Sequence, residues 1–125
     1  MPNKPIVLLA EDDQFLRRMY ATKLSQANVS AVLAEDGKQA LDCARKQTPA
    51  LIVLDILMPK MDGFEVLEEL KKDPVLKDVP VVLLTNLSEA EDISRAKKLG
   101  AAEYLIKAHF LPSEVLSVVK KYIQK

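Results

Sequence analysis

The sequence predicts an α/β fold: a five-stranded parallel sheet, doubly wound, with helices on both faces. Three observations carry this expectation. Short runs such as Ile6-Val7-Leu8-Leu9-Ala10, Leu51-Ile52-Val53-Leu54 and Val81-Val82-Leu83-Leu84 are almost continuously aliphatic. Strands with that pattern are buried on both faces, whereas half-exposed strands alternate. Between the runs lie segments whose apolar residues recur every three or four positions, the stripe of an amphipathic helix. The chain is 125 residues long, near the commonest size of one domain, so strands and helices must share one compact core.

In order along the chain, Ile6 to Ala10 is the first strand and ends in Glu11-Asp12-Asp13. Asp13 has the chemistry to accept from the free N–H groups that open a helix. That first helix carries Phe15, Leu16, Met19, Tyr20 and Leu24 as its apolar stripe. Val29 to Leu33 is the second strand, closed by Glu35-Asp36-Gly37. A helix through Ala40, Leu41 and Ala44 follows and stops before Pro49. Leu51 to Asp55 is the third strand, and Pro59 with Asp62-Gly63 turns the chain. The third helix runs from about Phe64 to Lys71, ahead of Asp73-Pro74.

Val79 to Thr85 is the fourth strand. Ser88 to Glu91 has the spacing of a capping box for the fourth helix, which carries Ile93, Ala96 and Leu99 and ends at Gly100. Tyr104-Leu105-Ile106 makes a short fifth strand ending in Lys107. The last helix opens near Pro112 and buries Val115, Leu116, Val119 and Ile123. Strands alternating with helices imply right-handed crossovers. By size and analogy the expected order is the flavodoxin-like 2-1-3-4-5. With no internal repeat or linker, residues 1–125 read as one domain without an output domain.

Composition narrows the function. Hydrophobic residues are 49% and charged residues 29%, an ordinary globular balance. Lys plus Arg equals Asp plus Glu at 18 each, so no net field draws nucleic acid, and direct nucleic-acid binding is not expected. The apolar runs are too short to span a bilayer. Met1 to Pro5 has neither an apolar leader core nor a small-residue cleavage site. The single Cys43 has no internal partner and sits among Ala40, Leu41 and Ala44 as a packing thiol. Together these features place the protein in the cytoplasm.

Four strands end in polar residues that their apolar bodies do not explain: Glu11-Asp12-Asp13, Asp55, Thr85 and Lys107. In a parallel sheet all four ends share the carboxyl edge, where open α/β sheets bind ligands. Asp55 taken alone is equally well read as a residue closing a strand. Taken together, the set has a chemistry. Two carboxylates about 4 Å apart repel by roughly 4 kcal/mol at an effective dielectric near 20, so Asp12, Asp13 and Asp55 need a counter-ion. An all-oxygen site suits Mg²⁺. Lys107 offers a point charge to a phosphoryl oxygen, Thr85 a short donor, and Asp55 a carboxylate nucleophile.

The residues Glu11-Asp12-Asp13, Asp55-x-x-Met58-Pro59-x-x-Asp62-Gly63, Thr85 and Lys107 resemble the receiver domain of two-component response regulators, over nearly the whole chain. The resemblance implies Mg²⁺-dependent phosphorylation of Asp55 by a histidine kinase or phosphotransfer protein. It implies metal ligation by Asp12, Asp13, Asp55 and the backbone carbonyl of Leu57, and phosphoryl binding by Thr85 and Lys107. Tyr104 matches the aromatic switch residue. Signalling would then pass through the fourth helix, fifth strand and fifth helix to a partner protein or a second copy. Such a protein is a phosphoacceptor, not a turnover enzyme. Leu57 and Leu87 match positions flanking the path of the hydrolytic water, which implies a long-lived phosphorylated state.

Three departures stand out. Ala108 follows the lysine where the family usually has proline, often with a cis bond. The segment Ala108 to Pro112 is about one residue longer than usual, with His109 read as a surface loop residue. Asn86 follows Thr85 where a smaller residue is usual, either narrowing access to the site or hydrogen-bonding within it. Haloacid-dehalogenase-type phosphatases also use Asp, Thr, Lys and Mg²⁺, but need a second acid where this chain has Leu57. A flavin-binding flavodoxin needs a phosphate loop where this chain has three acids. A module of the receiver fold that is never phosphorylated remains the alternative.

Overall fold

The computed structural model describes residues 4–123; residues 1–3 of the N-terminal segment fall outside it. The described elements follow strict alternation. They are β1 (Ile6–Ala10), α1 (Gln14–Leu24), β2 (Ser30–Ala34), α2 (Gly37–Lys46), β3 (Leu51–Leu54), α3 (Gly63–Lys72), β4 (Val81–Thr85), α4 (Ala90–Lys98), β5 (Glu103–Ile106) and α5 (Pro112–Ile123). Single 3₁₀ turns follow α1 at Ser25–Ala27 and β5 at Lys107–His109. The sheet is parallel, in the order β2-β1-β3-β4-β5, so the expected fold class holds.

Successive residues of each inner strand serve opposite cores. Leu8, Ala10, Ile52, Leu54 and Leu83 pack under α2, α3 and α4. Val7, Leu9, Val53, Val82 and Leu84 pack under α1 and α5. All four residues of β3 are buried, and each such aliphatic side chain contributes roughly 1.5–3 kcal/mol relative to exposure. This two-sided burial is why the strand sequences do not alternate.

The boundaries differ from expectation for local reasons. β2 begins at Ser30 and not Val29, because the Ser30 N–H donates to Pro5 O at 2.9 Å while Val29 is buried just before the ladder. β4 begins at Val81: Pro80 has no N–H to give, although its carbonyl accepts from Ile52. The capping box expected at Ser88 does not form. Glu89 is the N-cap of α4, and its side chain makes no capping bond. A full capping box lies instead at α3, where Asp62 and Glu65 bond each other's backbone N–H groups at 2.9 and 3.1 Å.

Phe15 is not part of the packed stripe of α1; it is 75% exposed. Tyr20 and Leu24 form the buried line, with Leu16 and Met19 partly covered. Phe15 instead lines an open groove with Arg18, Met19, Thr22, Lys23 and Pro112 at the start of α5. α4 is lightly attached, with Ala96 as its buried residue. Arg95 stacks 4.2 Å from the centre of the Phe64 ring. Cys43 is half-buried against the core, as read, and His109 is exposed.

Candidate functional site

The carboxyl edge of the sheet is built by register. Ala10 pairs with Leu54, so the next residues, Glu11 and Asp55, stand side by side where the ladder ends. The Glu11 N–H still donates to Ala34 O at 3.0 Å and the Asp55 N–H to Ala10 O at 3.1 Å. That continued bonding holds both residues at strand-like rigidity. Glu11 is 2% exposed and Asp55 5%.

Lys107 reaches across from the end of β5. Its Nζ lies 2.6 Å from Asp55 Oδ2 and also donates to Glu11 Oε1. The opposite oxygens are engaged by backbone. Asp55 Oδ1 accepts from Ile56 N at 2.6 Å and from Leu57 N at 3.4 Å, and Glu11 Oε2 accepts from Asp13 N at 3.0 Å. Among the described residues no buried side-chain oxygen or nitrogen lacks a partner.

The electrostatics follow from this arrangement. Burial pushes the Glu11 carboxyl above its ordinary value, and the hydrogen bond from Lys107 only partly counters it. Burial also works against the charge on Lys107, but its hydrogen bonds to Asp55 and Glu11 outweigh that and raise its pKa. Glu11, Asp12 and Asp55 each offer a carboxylate oxygen, all within 4.8 Å of one another. Three carboxylates against one ammonium leave two negative charges, and the ligand atoms are all oxygen. Such a set fits a hard divalent cation.

The expected site residues are distributed as follows. Asp12 and Asp55 belong to the cluster. Asp13, expected beside them, points away and caps α1, its Oδ1 accepting from Leu16 N at 2.9 Å; Glu11 stands in its place. The register explains this, since Glu11 is the residue level with Asp55. The signal was available in the sequence only if the pairing of β1 with β3 was assumed to one residue.

Thr85 is fully buried at the end of β4, and its Oγ1 accepts from Leu87 N at 3.4 Å. Leu57 is 58% exposed beside Asp55. Leu87 is half-buried against the core, and its carbonyl accepts the Tyr104 hydroxyl at 2.6 Å. The Lys107–Ala108 bond is trans, since the described residues contain no cis peptide.

Sequence reading missed Arg17. Its guanidinium donates to the carbonyls of Glu11 and Asp12 at 2.8 and 3.2 Å, holding the acidic loop in place. The loop from Asp55 to Gly63 is fixed just as tightly. A Cβ on Gly63 would fall 2.4 Å from the Asp55 carbonyl oxygen, and one on Gly37 would fall 1.8 Å from that of Met61. Lys60 takes φ +69 inside a γ-turn closed by Met61 N to Pro59 O at 2.7 Å. Its ammonium lies 3.7 Å from Asp36, the cap of α2.

A doubly wound parallel sheet with a buried acid–lysine cluster on its carboxyl edge is the arrangement expected of a receiver domain. The chain belongs to the response regulator receiver domain family, whose family model matches residues 7–120. It is 35% identical to a probable transcriptional regulator ycf27 of Porphyridium aerugineum over 98% of this chain and 49% of that protein. It is 33% identical to the phosphate regulon transcriptional regulatory protein PhoB of Escherichia coli over 95% of this chain and 52% of that protein. The chain thus spans about half the length of the curated relatives it matches. Among solved structures it resembles chemotaxis protein CheY4 of Vibrio cholerae, with a TM-score of 0.87 at 29% identity, covering 95% of this chain and 98% of that one. It equally resembles the Mn²⁺-bound form of response regulator Rcp1, with a TM-score of 0.87 at 29% identity, covering 97% and 96%.

Proposed function

We propose that the chain is a phosphoacceptor switch in which Asp55 takes a phosphoryl group from a phosphohistidine of a histidine kinase or phosphotransfer protein. The observation that carries this reading is Lys107 Nζ at 2.6 Å from the buried Asp55 Oδ2, inside a cluster with two uncompensated negative charges. A carboxylate oxygen of Asp55 attacks phosphorus, and the P–N bond to the imidazole breaks. The imidazole nitrogen keeps the electron pair and takes up a proton. Lys107 moves from the carboxylate to a phosphoryl oxygen, and the Thr85 hydroxyl turns to donate to another.

Mg²⁺ is the proposed cofactor, held by Glu11, Asp12, Asp55 and, by family resemblance, the carbonyl of Leu57. When bound it offsets charge on the transferring group. The rigid loop from Asp55 to Gly63 supports this, because a hard cation demands closely defined ligand positions. The chain assists its own modification without turning over a free substrate. It does so in the cytoplasm, where such donors are found. Among the described residues no helix is long and apolar enough to cross a membrane.

The output surface is α4, β5 and α5, since Thr85, Tyr104 and Lys107 lead directly into it. The light attachment of α4 supports this. A downstream protein or a second copy would read that face. The ycf27 and PhoB relatives are described as transcriptional regulators, but this chain's balanced charge supports an indirect route to nucleic acid.

The test is exposure to acetyl phosphate with Mg²⁺, followed by intact-mass measurement. Wild type should gain one phosphoryl mass, and chelating the metal should prevent it. Asp55→Asn should gain none. Full labelling of that variant would overturn the assignment. No labelling of wild type would favour a binding module of the same fold.

A further inference from the structure

The loop after β4 is tied to β5 and to the turn that follows it through two consecutive residues. Leu87 O accepts the Tyr104 hydroxyl at 2.6 Å, and Asn86 Oδ1 accepts the Ala108 N–H at 3.2 Å. Ala108 sits in the three-residue 3₁₀ turn Lys107–His109. The first N–H groups of such a turn have no partner within it. Apart from Phe110 N to Lys107 O at 3.3 Å, the Asn86 carboxamide is the hydrogen-bonding tie on this turn's backbone among the described residues. The turn is what aims Lys107 into the cluster, because the lysine stem is flexible and its reach depends on where its backbone sits. Asn86 directly follows Thr85, the other group proposed to meet the phosphoryl oxygens. Asn86 and Lys107 also line one groove with Met19, Phe110 and Pro112.

Two of the three sequence departures therefore touch each other. A proline after the lysine has no N–H; Ala108 has one, and the unusually large residue after Thr85 accepts it. We propose that Asn86 is a positioning residue: its carboxamide fastens the Lys107 turn to the Thr85 loop, so that the two phosphoryl-binding groups keep a set separation. This rests on the phosphoacceptor reading of Asp55. Asn86 acts through Lys107 and Thr85, not on the reacting atoms.

The test uses the full chain with Asn86→Ala, which loses both acceptor and bulk, and Asn86→Leu, which loses the acceptor alone. With acetyl phosphate and Mg²⁺, both variants should label about fivefold more slowly at saturating donor, the scale of one lost hydrogen bond. The donor concentration for half-maximal rate should stay unchanged. In the unphosphorylated protein, Ala108 amide exchange should speed by a similar factor and the Lys107 ammonium ¹H–¹⁵N signal should shift. Asn86→Asp keeps an acceptor oxygen and should restore Ala108 protection. If Asn86→Ala labels as fast as wild type or faster, Asn86 is an obstruction and the proposal is overturned. If wild type itself takes no label, the phosphoacceptor reading fails. The Ala108 and Lys107 signals then decide alone, and no change in Asn86→Ala overturns the proposal.

Discussion

The Tyr104 hydroxyl donates to the Leu87 carbonyl at 2.6 Å and so ties β5 to the loop that carries Thr85 into α4. Burial, reinforced by the negative charges of Asp92 and Asp55, pushes the Tyr104 phenol up to about 12. The folded state thus favours the neutral phenol. The stability this contributes is complete below the ordinary value of 10 and is lost as pH rises from 10 through 12. Tyr104→Phe should lower stability by about 1 kcal/mol at pH 7. Its urea midpoint should also fall less steeply than that of wild type between pH 10 and 12. Parallel midpoint curves for the two proteins would show that Tyr104 does not carry the alkaline loss.

The acids of the first loop should separate into two roles. Glu11→Gln and Asp12→Asn remove a cluster oxygen and should weaken Mg²⁺ binding by about tenfold or more. Asp13→Ala removes the α1 cap and should cost about 1 kcal/mol of stability while leaving Mg²⁺ affinity within about twofold, since a capping loss reaches the cluster only indirectly. Calorimetric Mg²⁺ titration beside urea unfolding measures both quantities. A tenfold loss of affinity in Asp13→Ala would return that residue to the ligand set.

Leu57 and Leu87 bear on how long a phosphoryl group survives. Neither side chain can orient a water, and slow self-dephosphorylation is expected. Leu57→Asn with Leu87→Gln should speed phosphate release about tenfold. Most of the gain should come from Leu57, the exposed one, because Leu87 packs against the core. Phosphate release after removal of excess donor checks this. Equal half-lives in wild type and double variant would refute it.

Phosphorylation should propagate to the α4-β5-α5 face. A full two-state shift from 1:99 to 99:1 takes about 5.5 kcal/mol, which new contacts to Thr85 and Lys107 would supply in part. Adding a phosphoryl mimic should move amide signals of α4 and β5, starting at Leu87 and Tyr104. Shifts confined to Glu11, Asp12 and Asp55 would mean that no switch is propagated.

The sequence alone determined the fold class, because two-sided burial leaves aliphatic runs that no half-exposed strand needs, and Ile6–Ala10, Leu51–Leu54 and Val81–Thr85 are such runs. It also determined which residue types crowd the carboxyl edge, since Asp55, Thr85 and Lys107 each interrupt an apolar strand where it ends. Tertiary structure alone decided which two of the three adjacent acids, Glu11 and Asp12 rather than Asp13, enter the cluster. Register is a property of two strands together, and a slip of one residue exchanges Glu11 for its neighbour. Tertiary structure likewise decided the helix ends. Ser88 carries the right residue types for a capping box, but the helix starts one residue later, with Glu89 at the cap. The contacts of Arg17 with the Glu11 and Asp12 carbonyls, and of Asn86 with Ala108, were beyond sequence reasoning for the same physical reason. Each joins a side chain to a backbone group whose position is set by how separate elements pack.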